Sequence, residues 1–136
     1  MLRQCVTALA LTLFVAGAPV AEAKQSLPIS TVNGNGVSLV GAGAELDAGV
    51  VHTSGWVRRD VGRYNVDNAH LHVIFLDRDG AALQVVEARW NGVLRSGPRS
   101  HRTVRFHVRT PVPEDRQVAS VRVTVESGPR HDTNRD

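Results

Sequence analysis

Apolar and polar residues alternate through much of this chain. In the run from 69 to 76, Leu71, Val73 and Phe75 fall on one side and His70, His72 and Ile74 on the other. A period of two is the signature of a strand with one face buried and one wetter face, and the His pair belongs to the wetter face. Asp77-Arg78-Asp79-Gly80 follows as a turn, because Asp hydrogen-bonds its own backbone and Gly accepts positive φ. Alternation resumes at Leu83, so the two runs form a β-hairpin. The same reading predicts a strand from residue 50, with Val51, Thr53, Gly55 and Val57 facing away from His52, Ser54, Trp56 and Arg58. At 103–109, Val104, Phe106 and Val108 point in while Thr103, Arg105, His107 and Arg109 point out. At 118–125, Ala119, Val121, Val123 and Val125 point in.

Shorter strands are predicted at 37–40, ended by Gly41-Ala42-Gly43, at 82–90, and at 93–95 after the turn pair Asn91-Gly92. Residues 59–68 are polar and read as a loop. Pro111 and Pro113 interrupt the ladder after residue 109, since proline cannot donate to it. About seven short strands with Gly, Pro and Asn turns, and no amphipathic helix, predict an all-β domain: a two-sheet sandwich of immunoglobulin-like type, with a small barrel as the competitor. Its expected core is Leu71, Val73, Phe75, Leu83, Val85, Val104, Phe106, Val108, Val121 and Val123. Buried packing is the expected role of both tryptophans, with shielding of the outer surface the alternative for Trp56 on the face opposite Val57, and Tyr64 in the polar loop is a candidate contact residue. The predicted organisation is a leader over 1–23, an N-terminal arm with a first short strand over 24–49, the sandwich core over 50–126, and a disordered tail over 127–136.

The leader reading rests on a basic start, Met1-Leu2-Arg3-Gln4, an apolar stretch from Val6 to Val20, and Ala21-Glu22-Ala23, which matches the small-x-small pattern of signal cleavage. The apolar stretch is shorter than the ~20 residues that span a bilayer, so a secretory signal peptide is expected, with no transmembrane segment after cleavage. Cys5 lies too early to accept a lipid after such a cleavage box. Removing 23 of 136 residues leaves 113, with no cysteine among them. Thiol catalysis, thiolate metal sites and redox exchange are thereby excluded for the processed chain. Arg3 and Glu22 leave together, so the formal net charge stays at +3. That mild excess biases encounters toward anionic surfaces without naming a ligand. A periplasmic or secreted location is expected, with a protein or an anionic envelope component as partner.

At Val73-Ile74-Phe75-Leu76-Asp77-Arg78-Asp79-Gly80 the chain resembles exported bacterial immunoglobulin-like domains whose central strand carries Phe-x-Leu-Tyr-Asp before a Gly turn. Aligned on Asp77, the signature's Phe, Leu and Tyr fall on Val73, Phe75 and Leu76, so the Asp is the identical position. The resemblance implies a non-catalytic extracytoplasmic module, and it brings no catalytic residues with it.

The sharpest chemical feature is His70-x-His72. Side chains at i and i+2 share a strand face about 6.6 to 7 Å apart, and two imidazoles so placed can converge on one zinc or copper ion. Two ligands are too few, so a third is sought from His52 or His107 on other strands. The plain alternative is a pair of solvated strand histidines. A basic row, Arg105, His107 and Arg109, with Arg95, Arg99, His101 and Arg102 upstream, suits carboxylate or phosphate; Arg102, Arg105 and Arg109 are the candidate anion ligands. It lacks interleaved aromatics for base stacking, so no nucleic-acid partner is expected. Asp77-Arg78-Asp79-Gly80 opens like a calcium loop but lacks the later acidic ligands. No Gly-x-Ser-x-Gly elbow is present. The expectation is an exported, non-enzymatic binding or structural module, with a periplasmic copper or zinc binder as the alternative.

Overall fold

The computed structural model describes residues 23–34, 36–62, 66, 68–94 and 103–127. Residues 1–22 of the expected leader, with Cys5, and Tyr64, the basic stretch 95–102 and residues 128–136 of the expected tail lie outside the described residues, while Ser127, expected to open that tail, ends a strand. Eight strands make two four-stranded sheets. The first sheet runs in the order β1 (Gln25–Leu27), β3 (Val37–Asp47), β4 (Val50–Arg59), β7 (Thr103–Pro111). The second runs β2 (Ile29–Val32), β8 (Ser120–Ser127), β5 (Ala69–Leu76), β6 (Ala82–Ala88).

The hairpin β3–β4 lies in one sheet and the hairpin β5–β6 in the other. β7 then returns to β4, and β8 to β5, both antiparallel. The chain thus shuttles between layers, and the inward residues of both sheets form one core. Val37, Val51, Val57, Leu71, Val73, Phe75, Phe106, Val121 and Val123 are fully buried there. Each contributes about 1.5 to 3 kcal/mol by leaving water. The strands expected around residues 50, 70 and 103 are present, with Leu71, Val73, Phe75 and Phe106 inward as expected; the strand expected over 118–125 instead runs from Ser120 to Ser127, with Val121, Val123 and Val125 buried and Ala119 outside it.

Several expectations need correction. The arm predicted over 24–36 carries β1 and β2, which close the edges of both sheets. β1 pairs antiparallel with β3, and β2 runs parallel to β8. Leu27 is buried in the core, so three or four residues each suffice to dock, too few for a periodicity to show. The predicted strand 37–40 does not stop at Gly41-Ala42-Gly43. It continues to Asp47 through a β-bulge between Val40 and Ala42, where Gly41 takes φ +65°. Ala48 and Gly49, both at positive φ, then make the two-residue turn into β4.

No strand forms at Val93 and Leu94; Leu94 is buried and Val93 points into solvent. Val85, expected in the core, is 52% exposed, because a bulge between Phe75 and Leu76 shifts the β5–β6 register by one and turns it outward. The hairpin turn itself is as expected. Asp77 Oδ1 accepts from the amides of Asp79 (2.9 Å) and Ala81 (2.8 Å). Among the described residues no helix is long and apolar enough to cross a membrane.

Candidate metal centre

β5 is a central strand, with β8 on one side and β6 on the other. Its alternation sends Leu71, Val73 and Phe75 inward, so His70 and His72 stand side by side on the outer face. That face is drier than the sequence implied. His70 is only 4% exposed, and the His72 and Glu87 side chains are 20% and 24% exposed.

The Nε2 atoms of His70 and His72 lie 3.1 Å apart, with the rings tilted by 55°. Glu87 on β6 stands directly across from His72 in register and brings Oε1 to 3.3 Å from its Nε2. His70 Nδ1 lies 3.2 Å from the Asn68 carbonyl oxygen. A carbonyl can only accept, so Nδ1 carries the hydrogen and the Nε2 lone pair of neutral His70 faces His72 and Glu87. A backbone carbonyl holding the far nitrogen is a common way to orient a metal-ligating imidazole.

Four ligands bound tetrahedrally at about 2.0 to 2.1 Å stand roughly 3.3 Å from one another. Two of the three separations here, 3.1 and 3.3 Å, match that edge length. All three ligand atoms lie within 4.8 Å of one another. Two imidazole nitrogens and one carboxylate oxygen therefore fit a zinc or copper ion after a small inward movement of the Glu87 carboxylate. Three protein ligands leave a fourth position for solvent or a ligand. On the β8 side, Thr124 stands across from His72 and Glu126 across from His70, and Thr124 Oγ1 donates to Glu126 Oε1 at 3.4 Å.

The structure does not bring His52 or His107 to this pair. They lie on β4 and β7, on the outer face of the opposite sheet, where their rings stack on each other with centroids 5.8 Å apart. Glu87 takes the third position that the sequence sought from them. It was missed for a structural reason: a regular ladder continued from Leu76 opposite Ala82 would set Val86 across from His72, and the bulge shifts Glu87 there instead.

Of the candidate anion ligands, Arg105 and Arg109 project from the outer face of β7, and Arg102 lies outside the described residues. Arg105 holds its guanidinium 6.0 Å from the centroid of the Trp56 ring. Trp56, expected to pack within the body, is 45% exposed on that face, whereas Trp90 packs against the core as expected. No protein-family model, curated protein or solved structure matches the chain.

Proposed function

We propose that this chain is an exported, non-catalytic immunoglobulin-like module that binds a borderline transition-metal ion, zinc or copper, through His70, His72 and Glu87. The observation that carries the reading is the convergence of two Nε2 atoms and a carboxylate oxygen within 4.8 Å of one another, two of the three separations at tetrahedral-edge length. The Asn68 carbonyl on the far nitrogen of His70 supports it. The alternation of hairpins between two sheets, with β7 returning to β4 and β8 to β5, supports the immunoglobulin-like assignment. The apolar leader and its Ala21-Glu22-Ala23 box support export to the periplasm. A processed chain with no thiol must build a site for such ions from imidazole and carboxylate, which are the donors found here.

Thermal melting of the processed protein with zinc chloride or copper sulfate tests this. Free ion at a hundredfold excess over Kd adds about 2.7 kcal/mol. At about 4 to 8 °C per kcal/mol for a domain near this size, the melting temperature rises by roughly 10 to 20 °C. His72→Ala abolishes the shift, and Glu87→Gln weakens affinity at least tenfold. Acidification removes the shift as well, because protons compete with the metal for imidazole nitrogen. Melting that ignores both ions, or a shift that survives His72→Ala, refutes the metal reading and leaves a module that recognises a protein or an anionic envelope component.

A further inference from the structure

The outer face of the opposite sheet carries a second set of groups that neither the core nor the metal centre uses. β4 lies in the interior of that sheet, paired on both sides, yet it presents Trp56 with 45% of its surface in water. A large aromatic on a paired, polar sheet face is an unspent apolar surface. Arg105, directly across from Trp56 on β7, holds its guanidinium over the ring at 6.0 Å from the centroid, within reach of a cation–π contact. Such a contact uses the face of the guanidinium and not its fork of N–H donors.

The floor beside this pair is bare. Gly43 stands across from Ser54, and a Cβ built on Gly43 would meet nothing within 4 Å. Packing therefore does not require glycine there, although glycine weakens a strand interior. What it provides is room for a ligand ring to approach the backbone. From this floor an open cleft of about 300 Å³ runs past Ser54, His52, His107 and Glu45. Its walls offer hydroxyl, imidazole and carboxylate groups that donate and accept, the mixture that suits adjacent hydroxyls. Asp47, at the end of the cleft, is paired with Lys24 at 3.7 Å.

We propose that this shelf binds an acidic saccharide: a sugar ring lies over Gly43 against Trp56, its carboxylate takes the Arg105 fork, and its hydroxyls reach Ser54, His52 and Glu45. The other ligand classes fit less well. An extended peptide joins a sheet at an unpaired edge, and this floor lies between paired strands. A lipid chain needs apolar walls. A nucleic-acid strand would bring its phosphates against Glu45.

The test is titration of the processed protein, in the presence of EDTA, with an α-1,4-linked galacturonic acid trimer, read by calorimetry and tryptophan fluorescence. Maltotriose serves as the neutral comparison and polyglutamate as a charge-only comparison. The expected result is sub-millimolar binding of the acidic trimer, weakened at least tenfold by Trp56→Ala and by Gly43→Val. Arg105→Gln removes the preference for the acidic over the neutral trimer. His72→Ala binds the trimer as the parent does, which separates this shelf from the metal centre. Circular dichroism confirms that each variant is folded. Absence of binding at millimolar trimer, equal binding of polyglutamate, or binding unchanged in a folded Trp56→Ala or Gly43→Val variant overturns the proposal.

Discussion

Replacing Gly55 with alanine puts a single methyl group on the inner face of the first sheet, between the β3 bulge and the ring of Phe106 on neighbouring β7. A Cβ at this position would lie 2.5 Å from the Gly41 carbonyl oxygen and 2.7 and 2.8 Å from two ring carbons of Phe106. Ordinary contacts begin near 3.4 Å. Phe106 is fully buried and cannot swing into empty space, and the Gly41 carbonyl belongs to the bulge in β3. Relief therefore requires moving backbone or core. Overpacking of this kind costs about 1 to 3 kcal/mol, with the upper end expected because one of the contacts is to backbone. Restricting the unfolded chain returns about 0.4 to 1 kcal/mol. The net expectation is a loss of about 2 kcal/mol, or roughly 8 to 16 °C in melting temperature. Gly43→Ala is the internal control: it lies on the same strand pair, meets nothing within 4 Å, and should gain up to about 1 kcal/mol. Urea unfolding followed by circular dichroism measures both. A Gly55→Ala protein as stable as the parent would mean that the Phe106 ring does not lie over Gly55 on the inner face of the sheet, and the account of that packing would fail.

Thr53 is fully buried, and its hydroxyl has no hydrogen-bond partner among the described residues. Thr53→Val is expected to stabilise by about 1 kcal/mol in the same urea assay, since it removes an unsatisfied buried oxygen at nearly constant volume; a loss of stability would show that the hydroxyl is bonded in solution. Asp77→Ala deletes the acceptor for two turn amides and should cost about 1 to 2 kcal/mol. It should also blunt the zinc-induced melting shift, because the turn and the bulge beside it together set the register that brings Glu87 to His72; an undiminished shift would separate the turn from the site.

The layers were legible where a strand is long and one face is oily. Leu71, Val73 and Phe75, or Val104, Phe106 and Val108, announce their direction by alternation alone. Legibility failed where one residue changes the register or where a strand is too short to repeat. Gly41 reads as a terminator in the chain, yet in space it is the extra residue of a bulge that lets β3 run on to Asp47. Glu87 carries no local mark as a ligand. Its place opposite His72 depends on the bulge beside Phe75, a property of the paired strands and not of either one. Trp56 was ambiguous for a related reason: a strand flanked on both sides exposes its outer row only if nothing else in the molecule covers it, and no local pattern records that.

The parallel ladder between β2 and β8 joins the second and last strands of the sandwich, Ile29 beside Val121 and Val32 beside Thr124. Assembly is therefore gated by completion: until residues 120–127 are available, β2 has no neighbour to zip onto, and the sheet holding His70 and His72 lacks a flank. Contacts so distant along the chain favour slow maturation, in milliseconds to seconds. Until that strand arrives, the second sheet stands open along both β2 and β5.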